Sequence, residues 1–222
     1  MSIKTKLVTA AAGLTLIVGL GAAGTLTANA ATPRCGPSCT DLYSRAFGPA
    51  WVLSLLKHAS RAGQLTTLDR ASHAGQGEDF RVDSLGRVSD FARAGLVSGG
   101  LNALYGKLSA FEIEYTPNGS FSDLCLGVRT APGTGTPVTL QPCGVTAKTV
   151  WIFDPVKTRS GTFFALISAA TSGNFRHPAS LTVLRPGFPL VTAPLTANAP
   201  ARVFAHQLWS ARQGVLPASS AR

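Results

Sequence analysis

Cys125-Leu126-Gly127-Val128, followed by Val138-Thr139-Leu140-Gln141-Pro142-Cys143 and then Thr149-Val150-Trp151, is the stretch that decides how this chain is read. Short apolar alternations separated by Gly/Pro turns specify strands rather than helices. The first two segments read as paired strands carrying two cysteines. The tryptophan heads a third strand. Weaker copies lie on either side. Before it come Val52-Leu53-Ser54-Leu55, Gly63-Gln64-Leu65-Thr66-Thr67-Leu68 and Glu78-Asp79-Phe80. After it come Ser180-Leu181-Thr182-Val183, Gly187-Phe188-Pro189-Leu190-Val191-Thr192 and Gln207-Leu208-Trp209. Opening residue to closing aromatic spans 28, 26 and 29 positions. Self-similarity at such a period marks a fold assembled from repeated supersecondary units. The expected class is all-β, with three pseudo-repeats.

Between the repeats, Phe111-Glu112-Ile113-Glu114-Tyr115 alternates cleanly. Phe111, Ile113 and Tyr115 are expected in the core, with Glu112 and Glu114 facing water. Phe163-Phe164-Ala165-Leu166-Ile167 holds the matching place before the third repeat. Residues 84–108 read as an insertion. Leu85, Val88, Phe91, Ala92 and Leu96 suggest a helix or an irregular lid, and Gly99-Gly100 a flexible exit. Residues 31–50 read as a small N-terminal cap: a Cys35-Gly36-Pro37-Ser38-Cys39 turn, then a helical turn over Asp41 to Phe47, ended by Gly48-Pro49. The repeats occupy residues 51–214, and 215–222 are expected to be a disordered tail.

The first thirty residues have the form of a secretory signal peptide. Lys4 and Lys6 precede an apolar run from Leu7 to about Leu20, and Ala28-Asn29-Ala30 is a small-x-small cleavage site. Gly13, Gly19, Gly21 and Gly24 interrupt the run, which argues against a membrane anchor. Cleavage would leave 192 residues, a single-domain length, with net charge +8. The expected address is extracellular. A basic surface favours anionic partners, but the Lys and Arg residues are scattered along the chain, with no block of like charge. Four cysteines in an exported chain imply disulfides. Of three connectivities, adjacent pairing (Cys35–Cys39 and Cys125–Cys143) is the simplest. The spacing is wrong for zinc: there is no C-x-x-C and no H-x₃₋₅-H.

These residues resemble the ricin-type β-trefoil lectin family. Its repeat runs Cys-Leu-Asp-Val, Gly-x-x-Val-x-Leu-x-x-Cys and Gln-x-Trp. Cys125-Leu126, Val128, Gly135, Val138, Leu140, Cys143 and Trp151 match it in the second repeat, and Gln207-x-Trp209 in the third. The first keeps the shape, with Phe80 in place of tryptophan. The repeat is also similar to that of small secreted actinobacterial proteins of unknown function. The resemblance implies a six-stranded barrel capped by three hairpins. Phe80, Trp151 and Trp209 would pack near the pseudo-threefold axis, and Gln207 would brace the fold. It further implies carbohydrate binding, with extracellular or cell-wall polysaccharide as partner. The family's sugar site depends on the aspartate of Cys-Leu-Asp-Val. Ser54, Gly127 and Thr182 stand at that position here, and Gln141-Pro142 where an aromatic platform would stand. The sugar sites are therefore expected to be degenerate, which brings forward an alternative: a protein-interaction or inhibitor scaffold presenting the insertion.

Catalysis is not expected. His58, His73, His177 and His206 are far apart in sequence, without partner motifs. Ser54-x-x-Lys57 lacks the companion motifs of acyl-enzyme serines, and Ser98 lacks the first glycine of a nucleophile elbow. Glu112 and Glu114 read as a solvated strand face rather than a glycosidase pair. Glu78 and Asp79 would point to opposite faces. No phosphate-binding glycine loop or aromatic–basic interleaving is present. No catalytic residue, metal site or cofactor is assigned. Asn118-Gly119-Ser120 is a glycosylation sequon, meaningful only in a eukaryotic export route.

Overall fold

The structure, a computed structural model, describes residues 40–73, 80–117, 120–196 and 204–211. The leader, Cys35 and Cys39, Glu78-Asp79, Asn118-Gly119 and the tail lie outside the described residues.

Among the described residues, twelve strands join in one sheet. The first repeat supplies β1 (Leu42–Ser44), β2 (Trp51–Leu55), β3 (Thr66–Arg70) and β4 (Phe80–Arg87). The second supplies β5 (Ser109–Tyr115), β6 (Leu124–Val128), β7 (Thr136–Pro142) and β8 (Trp151–Thr158). The third supplies β9 (Gly161–Ser168), β10 (Ala179–Thr182), β11 (Val191–Pro194) and β12 (Leu208–Ala211). Antiparallel pairs β4–β5, β5–β8, β8–β9, β9–β12 and β12–β1 follow one another, and the Thr40↔Phe80 bridge closes the ring. That ring is a six-stranded barrel. The pairs β2–β3, β6–β7 and β10–β11 are three hairpins that close one end.

The hairpins interlock with threefold symmetry. The bridge Leu65↔Thr139, the pair Val191↔Pro137 and the bridge Thr67↔Pro189 join equivalent positions of successive repeats. Gly63, Gly135 and Gly187 also stand at one repeat position, at φ 82°, 80° and 77°. That left-handed backbone suits glycine, which has no Cβ to clash. It aims the Gly63 N–H at Leu140 O (2.7 Å), that of Gly135 at Thr192 O (2.9 Å) and that of Gly187 at Leu68 O (2.9 Å). At the centre, Val138 N–H donates to Leu190 O, Leu190 N–H to Thr66 O, and the Thr66 hydroxyl to Val138 O. Barrel, three hairpins and threefold network together make a β-trefoil.

The main core gathers Leu53, Leu126 and Leu181 with Phe80, Trp151 and Trp209, all fully buried. Trp151 Nε1–H donates to Leu126 O (2.8 Å) and Trp209 Nε1–H to Leu181 O (3.0 Å). A buried indole thus spends its one donor on the hairpin above it. Phe80 fills the third corner against Tyr115, ring centroids 5.6 Å apart, without that tether.

Three expectations need correction. Of the helical turn expected over Asp41 to Phe47, Leu42–Ser44 are instead β1, paired with β12, and only Arg45–Phe47 turn, with Gly48 N–H donating to Ser44 O, so this part of the cap region belongs to the barrel. Leu42 fills a core position, and tertiary pairing overrides so short a local preference. The insertion is shorter than 84–108, because β4 runs to Arg87; it forms α1 (Val88–Arg93) and α2 (Gly99–Tyr105). It is not a free lid. Val88, Phe91, Val97 and Leu101 form a second core with Ala110, Ile152 and Ile167. Gly99-Gly100 opens α2 rather than loosening the chain, and a Cβ on Gly100 would meet the Phe175 ring at 2.1 Å.

Candidate binding surface

The positions that align with the sugar-binding aspartate of the ricin-type repeat are all closed. Ser54 is 0% exposed and Thr182 7%. Thr182 Oγ1 donates to Ser180 O and accepts from Gln207 Nε2. Gly127 is buried beneath the segment that leads from Cys143 to β8. Val128 N–H donates to Lys148 O (3.0 Å). A Cβ on Gly127 would lie 2.7 Å from Lys148 O and 3.2 Å from Gln141 Cγ and Thr149 Cγ2. The absence of aspartate was legible in sequence; the closure of the space was not.

Two features hold that covering segment. The Cys125–Cys143 disulfide (S–S 2.05 Å) anchors its start to β6. Glu112 then accepts from Val145 N–H (2.9 Å) and from the Thr149 hydroxyl (2.6 Å). Glu112 is 7% exposed, so the expectation that it faces water is wrong. The β7–β8 connection crosses the outer face of β5 and buries it. Bonds to a carboxylate are charge-assisted and about twice as strong as neutral ones. Glu114 is half-buried and accepts from Asp123 N–H (3.1 Å). Burial holds its carboxyl above the ordinary range, an effect that bonding to the Asp123 amide partly opposes.

Gln207 is buried: its Nε2 donates to Pro194 O and Thr182 Oγ1, and its Oε1 accepts from Thr196 N–H and Oγ1. His177 Nδ1 and His206 Nδ1 bond the backbone carbonyls of Leu195 and Val183. Lys57 stands at φ 65° in the 3-10 turn after β2, while Ser54 is buried within that strand. Ser98 caps α2, accepting from Leu101 N–H. Among the described residues there is no group of three His, Cys, Asp or Glu that could hold a metal. No described helix is long and apolar enough to cross a membrane.

Surface groups remain at the tips of the hairpins. Lys57 and Arg61 follow β2, Arg129 follows β6, and Arg185 follows β10; all are exposed. Arg185 lies over the Phe188 ring, 3.3 Å from its centroid, and Phe188 stays 43% exposed. Leu184 and Phe204, both 61% exposed, flank the contact of Val183 with His206. Sequence reasoning missed this grouping. The bases are far apart along the chain, and only the threefold arrangement brings the loops to one end.

No family model matches the chain, and no curated protein matches it by sequence. Solved structures do match. A designed 3-fold symmetric protein, ThreeFoil, is similar at TM-score 0.52 and 14% identity, covering 78% of this chain and 97% of its own. The Polyporus squamosus lectin bound to a human-type influenza-binding epitope is similar at TM-score 0.51 and 10% identity, covering 80% of this chain and 49% of the lectin. The exo-β-1,3-galactanase 1,3Gal43A from Clostridium thermocellum is similar at TM-score 0.51 and 10% identity, covering 79% of this chain and 30% of the enzyme. The chain thus spans about half of the lectin and less of the galactanase. At these identities the likeness is one of fold: the chain is a β-trefoil, the architecture of a three-fold symmetric design and of a lectin.

Proposed function

We propose that this chain is an exported, non-catalytic carbohydrate-binding protein of the ricin B-like kind, whose family-type sugar positions are closed. The observation that carries the reading is the second repeat. Cys125, Leu126, Gly135, Val138, Leu140, Cys143 and Trp151 match the lectin repeat in sequence. They also do structural work: a disulfide, a threefold glycine and a tethered indole. The lectin of Polyporus squamosus, bound to a sialylated glycan, has the same fold and supports the reading by analogy. Contact with glycan then falls to surface loops rather than to Ser54, Gly127 and Thr182. Export rests on the leader and on cysteine usage.

The test is retention of the form beginning at Ala31 on insoluble xylan, chitin, cellulose and peptidoglycan, washed in low and high salt. Retention on one polymer is expected. No retention on any polymer in either wash would refute the reading.

One observation favours a second reading, a protein-interaction scaffold. Leu184, Phe188 and Phe204 are exposed on the third repeat. The insertion serves that reading poorly, because α1 and α2 spend their apolar faces on the barrel. Capture of one partner that is lost in Leu184→Ser and Phe204→Ser would favour it.

A further inference from the structure

The three hairpin loops share a charge pattern that the linear chain hides. Each supplies a base within two residues of the aligned positions Leu55, Val128 and Val183: Lys57, Arg129 and Arg185. The first loop adds Arg61. No aspartate or glutamate lies in residues 56–65, 129–135 or 183–190. Among the described residues the ion pairs are Arg81–Asp83 and Arg93–Asp90, so these four bases pair with no acid.

Four of the described acids gather elsewhere, and Asp69 lies on β3 outside the loop. Asp83 and Glu112 are opposite each other on β4 and β5, Glu114 faces Arg81 on the same ladder, and Asp123 bonds Glu114 just before β6. The three loops thus carry bases and no acid, while these four acids gather beside β4 and β5, with Arg81 among them.

The capped end is also cross-tied. Gly63, Gly135 and Gly187 each tie the return of a loop to the next hairpin, so the loops surround the pseudo-threefold axis in a fixed pinwheel. Arg185 is held over Phe188, which covers one face of its guanidinium and leaves its N–H edges free. Such an edge matches a carboxylate or sulfate in bidentate fashion. The exposed aromatic beside it offers an apolar surface to a sugar ring.

The geometry points to the capped end as a docking surface for an anionic polysaccharide, one bearing carboxylate or sulfate groups. Lys57, Arg61, Arg129 and Arg185 meet the charges, and Phe188 meets a sugar ring. This rests on the carbohydrate-binding reading and names its polymer class. Charge complementarity selects the occupant, since a neutral glycan would leave four unpaired bases unused.

Binding is measured by titration with heparin and polygalacturonate, over a series of salt concentrations. Dextran is the neutral polymer and oligo-dT the phosphodiester polyanion, which bears neither carboxylate nor sulfate. Three to four engaged bases give a log Kd against log salt slope of magnitude about 2–3, at roughly 0.7 per contact on a flexible polyanion. Lys57→Gln, Arg129→Gln and Arg185→Gln are each expected to weaken binding by about 3–10-fold and to lower the slope by roughly 0.7. Arg159→Gln is the control, because Arg159 lies in the β8–β9 turn, at the opposite end of that hairpin from Trp151. It is expected to change neither, and all four variants are expected to keep the parent's melting temperature. Equal loss in Arg159→Gln would overturn the proposal. So would oligo-dT binding as tightly as heparin. Retention on xylan or chitin without binding to either anionic polymer would overturn it while leaving the carbohydrate-binding reading intact. Failure on every polymer would overturn both.

Discussion

Installing at Gly127 the aspartate of the ricin-type repeat tests whether that position is closed by structure. The Cβ alone would lie 2.7 Å from Lys148 O, against an ordinary van der Waals contact of 3.4 Å or more. Neither side can yield freely. Gly127 is paired with Thr139 inside the β6–β7 hairpin, and Lys148 is held by Val128 N–H and by Thr149, which binds Glu112. Overpacking of this kind costs about 1–3 kcal/mol, and losing the Val128 hydrogen bond adds about 1 kcal/mol. Gly127→Ala should therefore destabilise by about 2–4 kcal/mol, or roughly 5–15 °C in a domain of this size. Gly127→Asp adds a carboxylate aimed at a carbonyl oxygen and stripped of water, so it should cost several kcal/mol more. Gly133→Ala is the matched control: its Cβ would meet only Thr136 Oγ1 at 3.8 Å, and its effect should stay within about 0.5 kcal/mol. The assay is urea unfolding followed by tryptophan fluorescence, with galactoside titration of whatever folds. If Gly127→Asp folded at parental stability and bound a galactoside, the closure argument would be refuted.

Three further outcomes are expected. Cys125→Ala with Cys143→Ala removes a cross-link of sequence separation 18 and should cost about 3 kcal/mol; unchanged unfolding in the double variant would mean that the bridge contributes nothing. Trp151→Phe and Trp209→Phe each leave a buried carbonyl, of Leu126 or Leu181, without its indole donor, and should cost about 1–3 kcal/mol; equilibrium unfolding checks this, and two neutral substitutions would refute the tether. Glu114 has a raised folded pKa, so the stability linked to it is fully present below its unfolded value and is lost as pH rises through the folded one. Glu114→Gln should therefore gain on the parent as pH climbs from about 4 to 7, and parallel stability–pH curves would contradict that sign.

Much of the fold was written in local pattern. Period-2 alternation placed Phe111, Ile113 and Tyr115 in the core, because a strand shows one face to the interior whatever its neighbours are. Gly63, Gly135 and Gly187 were legible as a repeat, because the same left-handed turn recurs at each of them. The spacing of Phe80, Trp151 and Trp209 announced three corners of one core. What escaped were approaches between distant segments. Nothing near Glu112 in sequence records that Val145 and Thr149 will cap it, and the alternation rule misread it as solvated. Leu42–Ser44 were misread for the same reason: their strand partner, β12, lies at the far end of the chain.

For the binding surface the division is the same. The sequence by itself determined that Ser54, Gly127 and Thr182 carry no carboxylate, that an even set of cysteines is present, and that basic side chains outnumber acidic ones. Only the tertiary structure decided that the three positions are sealed and that the insertion is spent on the barrel wall. It also put Lys57, Arg61, Arg129 and Arg185 on the loops of the three hairpins that close one end of the barrel. The physical reason is range. Side-chain alternation, turn glycines and charge are properties of a few consecutive residues. Closure, burial and the sharing of loops at one end are set by which segments the barrel and its three hairpins bring together.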